Sequence, residues 1–169
     1  MKYTSAEAAK LLRKLNEEHE ALLQLERQSN QFIAAVSEDL ESVRPAYDLA
    51  AVQQRLAELE AQVRKVKHAL NVFNSTHMVP GFNMTIDQLL VYIPQLSQRK
   101  MKLRDMAGAL PKTRVKSRSA VSSAVIEYSY ANYDVLEAKA LADAAAEELS
   151  RAQTALDKVN STETMEIEL

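Results

Sequence analysis

Cysteine is absent from this 169-residue chain, so neither a disulfide nor a thiolate metal site can form. Glycine occurs twice and proline four times, and this shortage of helix breakers favours long helices. No apolar run approaches the ~20 residues that span a bilayer. The first residues turn charged at once, unlike a signal peptide. We therefore expect a cytoplasmic protein without membrane insertion.

Sequence motifs of the common enzyme classes are missing as well. There is no glycine-rich phosphate loop and no Gly-x-Ser-x-Gly elbow. The histidines, His19, His68 and His77, lack the Glu-x-x-His spacing of di-metal helical bundles. A metal site formed by these histidines with Asp or Glu is the less favoured alternative. We expect no catalytic residue, no metal and no cofactor.

Helix signals dominate what is present. Residues 4–7 form a capping box that predicts a helix from there to about Asn30. Pro80-Gly81 predicts a turn, and a second capping box at 85–88 opens another helix, which contains Pro94. The apolar residues of these two helices are Leu11, Leu12, Leu15, Leu22 and Leu25 in the first, and Ile86, Leu89, Leu90, Ile93, Leu96 and Leu103 in the second.

Two further helices each carry an apolar row with alternating steps of three and four, a pattern typical of coiled coils. Asp48 and Asp134 are natural N-caps for them. The first row consists of Leu49, Val52, Leu56, Leu59, Val63, Val66, Leu70 and Phe73. The second row consists of Val135, Ala138, Ala142, Ala145, Leu149, Ala152, Leu156 and Val159.

These two long helices match each other at an offset of 86 residues without a gap. Tyr47-Asp48 corresponds to Tyr133-Asp134, and residues 74–76 and 160–162 both read Asn-Ser-Thr. Identity between the segments is low, so convergence on the same cap chemistry is an alternative to an internal repeat. Asn74 and Asn160 are then either helix-stop residues, since Asn can adopt the left-handed conformation, or a pair of polar ligands.

Strand signals are short. FIAAV at 32–36, AVIEYSY at 124–130 and TMEIEL at 164–169 each predict a strand, and residues 37–46 predict a loop. The fold class is therefore mainly α. We expect a long antiparallel helical hairpin or four-helix-bundle-like arrangement with a small antiparallel β-sheet. Residues 1–169 form a single domain with two helix–strand–helix quasi-repeats, at about 5–76 and 85–162.

A polar segment from about Gly108 to Ser123 predicts a loop, and it lies in a strongly basic region. The basic residues are Arg99, Lys100, Lys102, Arg104, Lys112, Arg114, Lys116 and Arg118. They are candidates for binding nucleic acid, phospholipid headgroups or an acidic protein. The alternative is a solvated loop and helix end, because cations also suit a helix C-terminus. No aromatic residue is interleaved with them, which weakens the case for single-stranded nucleic acid.

A set of short motifs resembles small bacterial proteins related to the septicolysin-like family. The motifs are KVKHALNVFN at 65–74, Pro80-Gly81, Thr85-Ile86-Asp87, Glu127-Tyr128, Asn132-Tyr133-Asp134, and Leu156-Asp157 with Asn160. The resemblance covers the chain from about residue 30 onward. It implies a helical-hairpin protein with a small sheet and assigns no catalytic residue. The sequence has no long amphipathic hairpin or spanning helix to support the pore formation that the family label suggests.

We therefore expect a non-enzymatic helical interaction or structural protein. The alternative is a nucleic-acid- or anion-binding accessory protein that uses residues 99–118. Residues 138–146 include six alanines, more than one helical contact can cover, so we also expect a homo-oligomer, by default a dimer. Alanine chosen only for its helix propensity is the alternative explanation.

Overall fold

The computed structural model describes residues 1–115 and 126–169. Its elements in chain order are β1 (Lys2–Thr4), α1 (Ser5–Ser29), α2 (Leu40–Val43), α3 (Leu49–Thr76), α4 (Ile86–Ala107), β2 (Lys112–Arg114), β3 (Tyr128–Tyr130), α5 (Val135–Thr162) and β4 (Thr164–Glu166). The predicted mainly helical fold with a small antiparallel sheet component is confirmed. In the described residues this component consists of two separate two-stranded pairs, β1–β4 and β2–β3.

Two compact units divide the chain. Unit 1 contains Met1–His77 and Lys158–Leu169, and unit 2 contains Met78–Asp157. The predicted single domain and the predicted halves at about 5–76 and 85–162 stay predictions.

The predicted helix starts are all confirmed by side-chain caps. The Thr4 hydroxyl accepts the Glu7 N–H at 3.2 Å, and the Glu7 carboxylate accepts the Thr4 N–H at 2.9 Å. Thr85 and Gln88 exchange the same two bonds at 3.3 and 2.9 Å. The carboxylates of Asp48 and Asp134 accept N–H groups in the first turns of α3 and α5. Each cap satisfies backbone donors that a helix N-terminus leaves without partners.

In unit 1, α1 and α3 pack as an antiparallel hairpin. Glu18 of α1 pairs with Arg55 of α3, and the preceding turns of α3 reach further along α1, where Gln53 donates to Glu26 at 2.7 Å. The buried apolar residues of this core are Ala8, Leu15, Leu59, Val66, Met165 and Ile167. Leu25 and Leu49 belong to the predicted rows but are exposed, because they lie near the ends of their helices.

Strand β1 closes unit 1 by pairing with β4, with Tyr3 opposite Met165. The Met1 carbonyl also accepts the Ile167 N–H at 2.9 Å. The terminal strand within TMEIEL is confirmed, whereas β1 is an element that the sequence did not predict. Met165 and Ile167 face the core on alternate residues, as one face of a strand requires.

The strand predicted at FIAAV is wrong. Residues 31–35 have no regular structure, and Ile33 and Val36 are fully exposed. The Glu38 carboxylate accepts the Ala35 N–H at 2.7 Å, so a local turn uses a donor that a strand partner would need. The predicted loop at 37–46 contains the single-turn helix α2, capped by Asp39.

In unit 2, α4 and α5 also pack as an antiparallel hairpin. Tyr92 of α4 donates to Glu148 of α5 at 2.6 Å, and Tyr133, just before α5, donates to the Met106 carbonyl near the end of α4 at 3.0 Å. The predicted row of α5 from Ala138 to Val159 is buried throughout. Its small side chains allow neighbouring helix axes to approach closely. In the predicted row of α4, Ile86, Leu89 and Leu96 are buried, Ile93 and Leu103 are half-buried, and Leu90 is exposed.

The corresponding ends of α3 and α5 share one pattern of side-chain hydrogen bonds, made by the Ser and Thr of each Asn-Ser-Thr. Ser75 and Thr76 both donate to the Val72 carbonyl, at 3.1 and 2.7 Å. In α5, Ser161 and Thr162 donate in the same way to the Lys158 carbonyl, at 3.0 and 2.8 Å. The hydroxyls thus bond back to a carbonyl three or four residues earlier, the usual pattern of Ser and Thr side chains within a helix.

The expected left-handed Asn is wrong. Asn74 and Asn160 lie inside the last turns of α3 and α5, and no residue other than glycine has a positive φ in the described parts of the chain.

The loop predicted from Gly108 to Ser123 contains strand β2, which pairs with β3. The strand predicted at 124–130 is confirmed for Tyr128–Tyr130. Residues 116–125, which include parts of both predictions, lie outside the described residues. No helix within residues 1–115 and 126–169 combines the length and the apolar content that crossing a membrane requires.

Candidate anion-binding surface

The strand pair β2–β3 places two cations and two aromatic rings on one surface. Lys112 lies opposite Tyr130, and Arg114 lies opposite Tyr128. Directly opposed residues of an antiparallel pair share a face of the ribbon, and so do residues two apart on one strand. We call these four residues, Lys112, Arg114, Tyr128 and Tyr130, the basic–aromatic ribbon.

Contacts within this ribbon are close. The Lys112 Nζ lies 4.1 Å from the ring centroid of Tyr128 and 5.4 Å from that of Tyr130. The two ring centroids are 6.5 Å apart, and the rings are inclined at 51°. The rings therefore do not stack on each other, and Tyr128 and Tyr130 remain 44% and 64% exposed. Cation–π attraction holds the ammonium beside the rings without neutralising its charge.

Sequence reasoning missed the aromatic half of this surface. Tyr128 and Tyr130 are absent from the basic segment itself and reach it only through the register of the strand pair. The expectation that no aromatic residue accompanies the basic ones is therefore corrected. The signal that could have found the ribbon is the matched alternation of Lys-Thr-Arg and Tyr-Ser-Tyr, which gives each strand one chemically uniform face.

The other predicted basic residues are not all brought together. Arg99 and Lys102 are neighbours on the surface of α4, as are Lys100 and Arg104, but the two pairs lie on different sides of the helix. Arg104 lies in the last turn of α4, where a cation stabilises the helix C-terminus. Lys116 and Arg118 lie outside the described residues.

None of the six described cations forms an ion pair within 4.0 Å in the parts of the chain that the structure describes. In unit 1, by contrast, Arg55 bridges Glu18 and Glu58. Glu127, beside the ribbon, alternates with Tyr128 and so belongs to the opposite face. The ribbon cations are thus exposed and without a carboxylate partner among the described residues.

Other candidate sites are weaker. Among the described residues, no group of three His, Cys, Asp or Glu side chains is arranged to hold a metal ion. An open depression of about 490 Å³ lies on unit 1, but its polar lining comes from α1 alone. Asn74 and Asn160 are both half-buried in unit 1. Their assignment as a polar ligand pair stays a prediction.

Comparisons with known proteins identify the fold and no activity. Neither a family model nor a curated protein matches the chain. Among solved structures, the chain is similar to the crystal structure of a functionally unknown conserved protein from Corynebacterium diphtheriae, with 20% identity and a TM-score of 0.56. The match covers 98% of this chain and 100% of that protein. At this identity the likeness shows a shared fold alone.

Proposed function

We propose that this chain is a non-enzymatic binding protein that engages an anionic partner through the basic–aromatic ribbon. The observation that carries the proposal is the pairing of Lys112 and Arg114 with two exposed tyrosine rings on one face. An exposed cation without a carboxylate partner keeps its full attraction for an incoming anion, because no internal salt bridge must be broken first.

Local charge, rather than net charge, supports this function. The chain carries a formal net charge of −2, so a basic surface on unit 2 is balanced by acidic residues elsewhere. Such an uneven distribution orients an anionic partner toward one surface, and salt screens it strongly because the cations are exposed.

The second candidate function is the helical interaction or structural role predicted from the apolar rows. It is favoured by the exposed apolar residues on the outer side of α5, Leu136 and Leu141. Kinship with the septicolysin-like proteins is part of the same proposal. It rests on the quoted motifs and adds no activity. The cytoplasmic location stays a prediction.

Retention on immobilised heparin tests the anionic partner. We expect the protein to bind at low salt and to elute earlier when Lys112→Gln and Arg114→Gln are combined. Lys67→Gln combined with Lys139→Gln, which removes two exposed cations outside the ribbon, is the matched control and should leave the elution position nearly unchanged. Absence of retention at low salt, or equal effects of the two sets of substitutions, would contradict the proposal.

A further inference from the structure

The ribbon offers more than charge, because its two rings are presented beside its cations. Tyr128 and Tyr130 project from one short strand, and the structure shows no hydrogen-bonded or ion-paired role for either ring among the described residues. Full burial does not account for them either, since Tyr128 is 44% and Tyr130 is 64% exposed. An anion that carries only carboxylates or sulfates would bind the cations but has no flat group that could stack on the tyrosine rings.

We infer that the anionic partner is a single-stranded nucleic acid whose bases stack on Tyr128 and Tyr130 while Lys112 and Arg114 bind its phosphates. This inference rests on the proposed function and names its partner. Proteins that bind single strands combine a positively charged track with aromatic platforms, and every base offers a flat face to such a platform. In a duplex the same faces are occupied by neighbouring base pairs, so the rings could not be used.

The position of Lys112 fits this role. Its ammonium lies over both rings, nearer to Tyr128 at 4.1 Å. A phosphate competes for the ammonium through a charge-assisted hydrogen bond, which is stronger than an exposed cation–π contact. Drawing the lysine toward a phosphate uncovers ring surface for the adjoining base. Arg114, opposite Tyr128, can bind a phosphate in bidentate fashion.

Four probes distinguish the contribution of the bases to binding affinity from the contribution of charge. They are an oligothymidylate of about 15 nucleotides, an abasic phosphodiester strand of equal length, a duplex of equal length, and polyglutamate of matched charge. Affinities are measured by competition against labelled oligothymidylate at two salt concentrations. Tyrosine emission is measurable because the chain has no tryptophan, and comparison with a variant that lacks the two ribbon tyrosines isolates their share of the signal.

The key variant combines Tyr128→Leu and Tyr130→Leu, and the control combines Tyr128→Phe and Tyr130→Phe, which keeps both aromatic faces. Circular dichroism checks that each variant stays folded. We expect the oligothymidylate to bind at least about tenfold more tightly than the abasic strand, since stacking on one aromatic ring is of that size. The leucine pair should abolish this difference and the quenching of tyrosine emission, and the phenylalanine pair should retain the difference.

Different failures have different meanings. Equal, salt-dependent binding of the oligothymidylate and the abasic strand, unaffected by the leucine pair, overturns the single-strand inference and leaves the proposed function standing. Tighter binding of the duplex also overturns it. Preferential binding of polyglutamate replaces the nucleic acid with an acidic polypeptide. If the protein binds none of the four probes and is not retained on heparin, both the inference and the proposed function are overturned.

Discussion

Gly81 is the one described residue whose backbone conformation requires glycine. Its φ of +82° follows Pro80 in a turn that is closed by the Phe82 N–H and the Val79 carbonyl at 3.1 Å. A proline followed by a residue with positive φ is typical of a type II turn. No atom lies within 4 Å of a Cβ added at Gly81, so a substitution there changes backbone strain and not packing.

We expect Gly81→Ala to lower the free energy of unfolding by about 1 kcal/mol, because an L side chain disfavours positive φ. Gly108→Ala is the control. Gly108 has a φ of −83°, and its added Cβ would meet the nearest atoms at 3.5 and 3.6 Å, ordinary contact distances. The Gly108→Ala substitution should leave the free energy of unfolding unchanged or raise it slightly. Urea denaturation measures both, and equal effects would contradict the assignment of strain to Gly81.

Tyr92 links protonation to stability. The pKa of its hydroxyl lies above the ordinary value, chiefly because the hydroxyl donates to the Glu148 carboxylate and secondarily because it is partly buried; Arg99 acts in the opposite direction. Folding therefore favours the protonated tyrosine. The contribution of the Tyr92 hydroxyl to the free energy of unfolding is fully present below the tyrosine pKa of the unfolded chain, about 10. This contribution is lost as pH rises through the higher pKa of Tyr92 in the folded protein.

We therefore expect Tyr92→Phe to cost about 1.5 kcal/mol near neutral pH, the lower end of the range for a hydrogen bond to a charged group, because Tyr92 is only half-buried. The cost should shrink as pH rises above about 10, where the original tyrosine also loses the bond. Denaturant unfolding of both proteins across that range measures the difference. Tyr130→Phe, which changes an exposed ring, is the control and should show the same stability as the unsubstituted protein at each pH. A cost of Tyr92→Phe that does not change with pH would refute the link between Tyr92 protonation and stability.

At the scale of elements, local chemistry made the helices predictable. The caps at Thr4, Asp48, Thr85 and Asp134 use groups within three residues of the helix start, so the sequence contains the whole interaction. The buried row of α5 is likewise a consequence of helical periodicity.

Strands were less predictable because pairing depends on distant residues. Thr4 of β1 pairs with Thr164 at the other end of the chain, and the sequence around Lys2 contains no sign of that partner. FIAAV has the composition of a strand but pairs with no strand in residues 1–115 and 126–169, and there it is irregular and mostly exposed. The same limit applied to the candidate site. Lys112 and Arg114 were found from charge alone, whereas Tyr128 and Tyr130 required the register of β2–β3.

Burial along α3 gives a prediction at this scale. Leu59 and Leu49 belong to one apolar row, but Leu59 is fully buried and Leu49 is 61% exposed. We expect Leu59→Ala to lower the free energy of unfolding by about 2–5 kcal/mol, through lost contacts and a cavity. Leu49→Ala should cost less than about 0.5 kcal/mol. Denaturant unfolding compares the two, and similar costs would show that the row is not buried as described.

At the scale of the whole molecule, two helical hairpins repeat one set of contacts. Tyr47 precedes the N-cap of α3 and donates to Glu26 of α1 at 2.9 Å, while Tyr133 precedes α5 and donates to α4. The start of α3 is thus tied to α1 and the start of α5 to α4, and in the last turns of both long helices Ser and Thr hydroxyls bond back to one carbonyl. The internal repeat itself stays a prediction, and in the described residues only the second hairpin contains a strand pair between its helices.

The outer face of α5 bears on how copies of the molecule associate. Leu136, Ala140 and Ala144 follow one another at four-residue steps and are all exposed, on the side of the helix opposite the buried row. Leu136, in the first turn of α5, is 77% exposed. The hairpin partner covers only one stripe of about 100°, so this second stripe is free for a helix of another copy.

We expect the protein to form a homodimer in which this stripe of α5 is buried, since two-fold dimers are the commonest symmetric assemblies. Light scattering coupled to size exclusion should then give about twice the chain mass of 18.9 kDa at micromolar concentration. Ala144→Glu should shift the mass toward the monomer without loss of helicity, because a carboxylate buried in an apolar contact has no partner. Ala57→Glu, at an exposed position of α3, should leave the dimer intact. A monomer mass for the unsubstituted protein would instead assign the alanines of α5 to helix propensity alone.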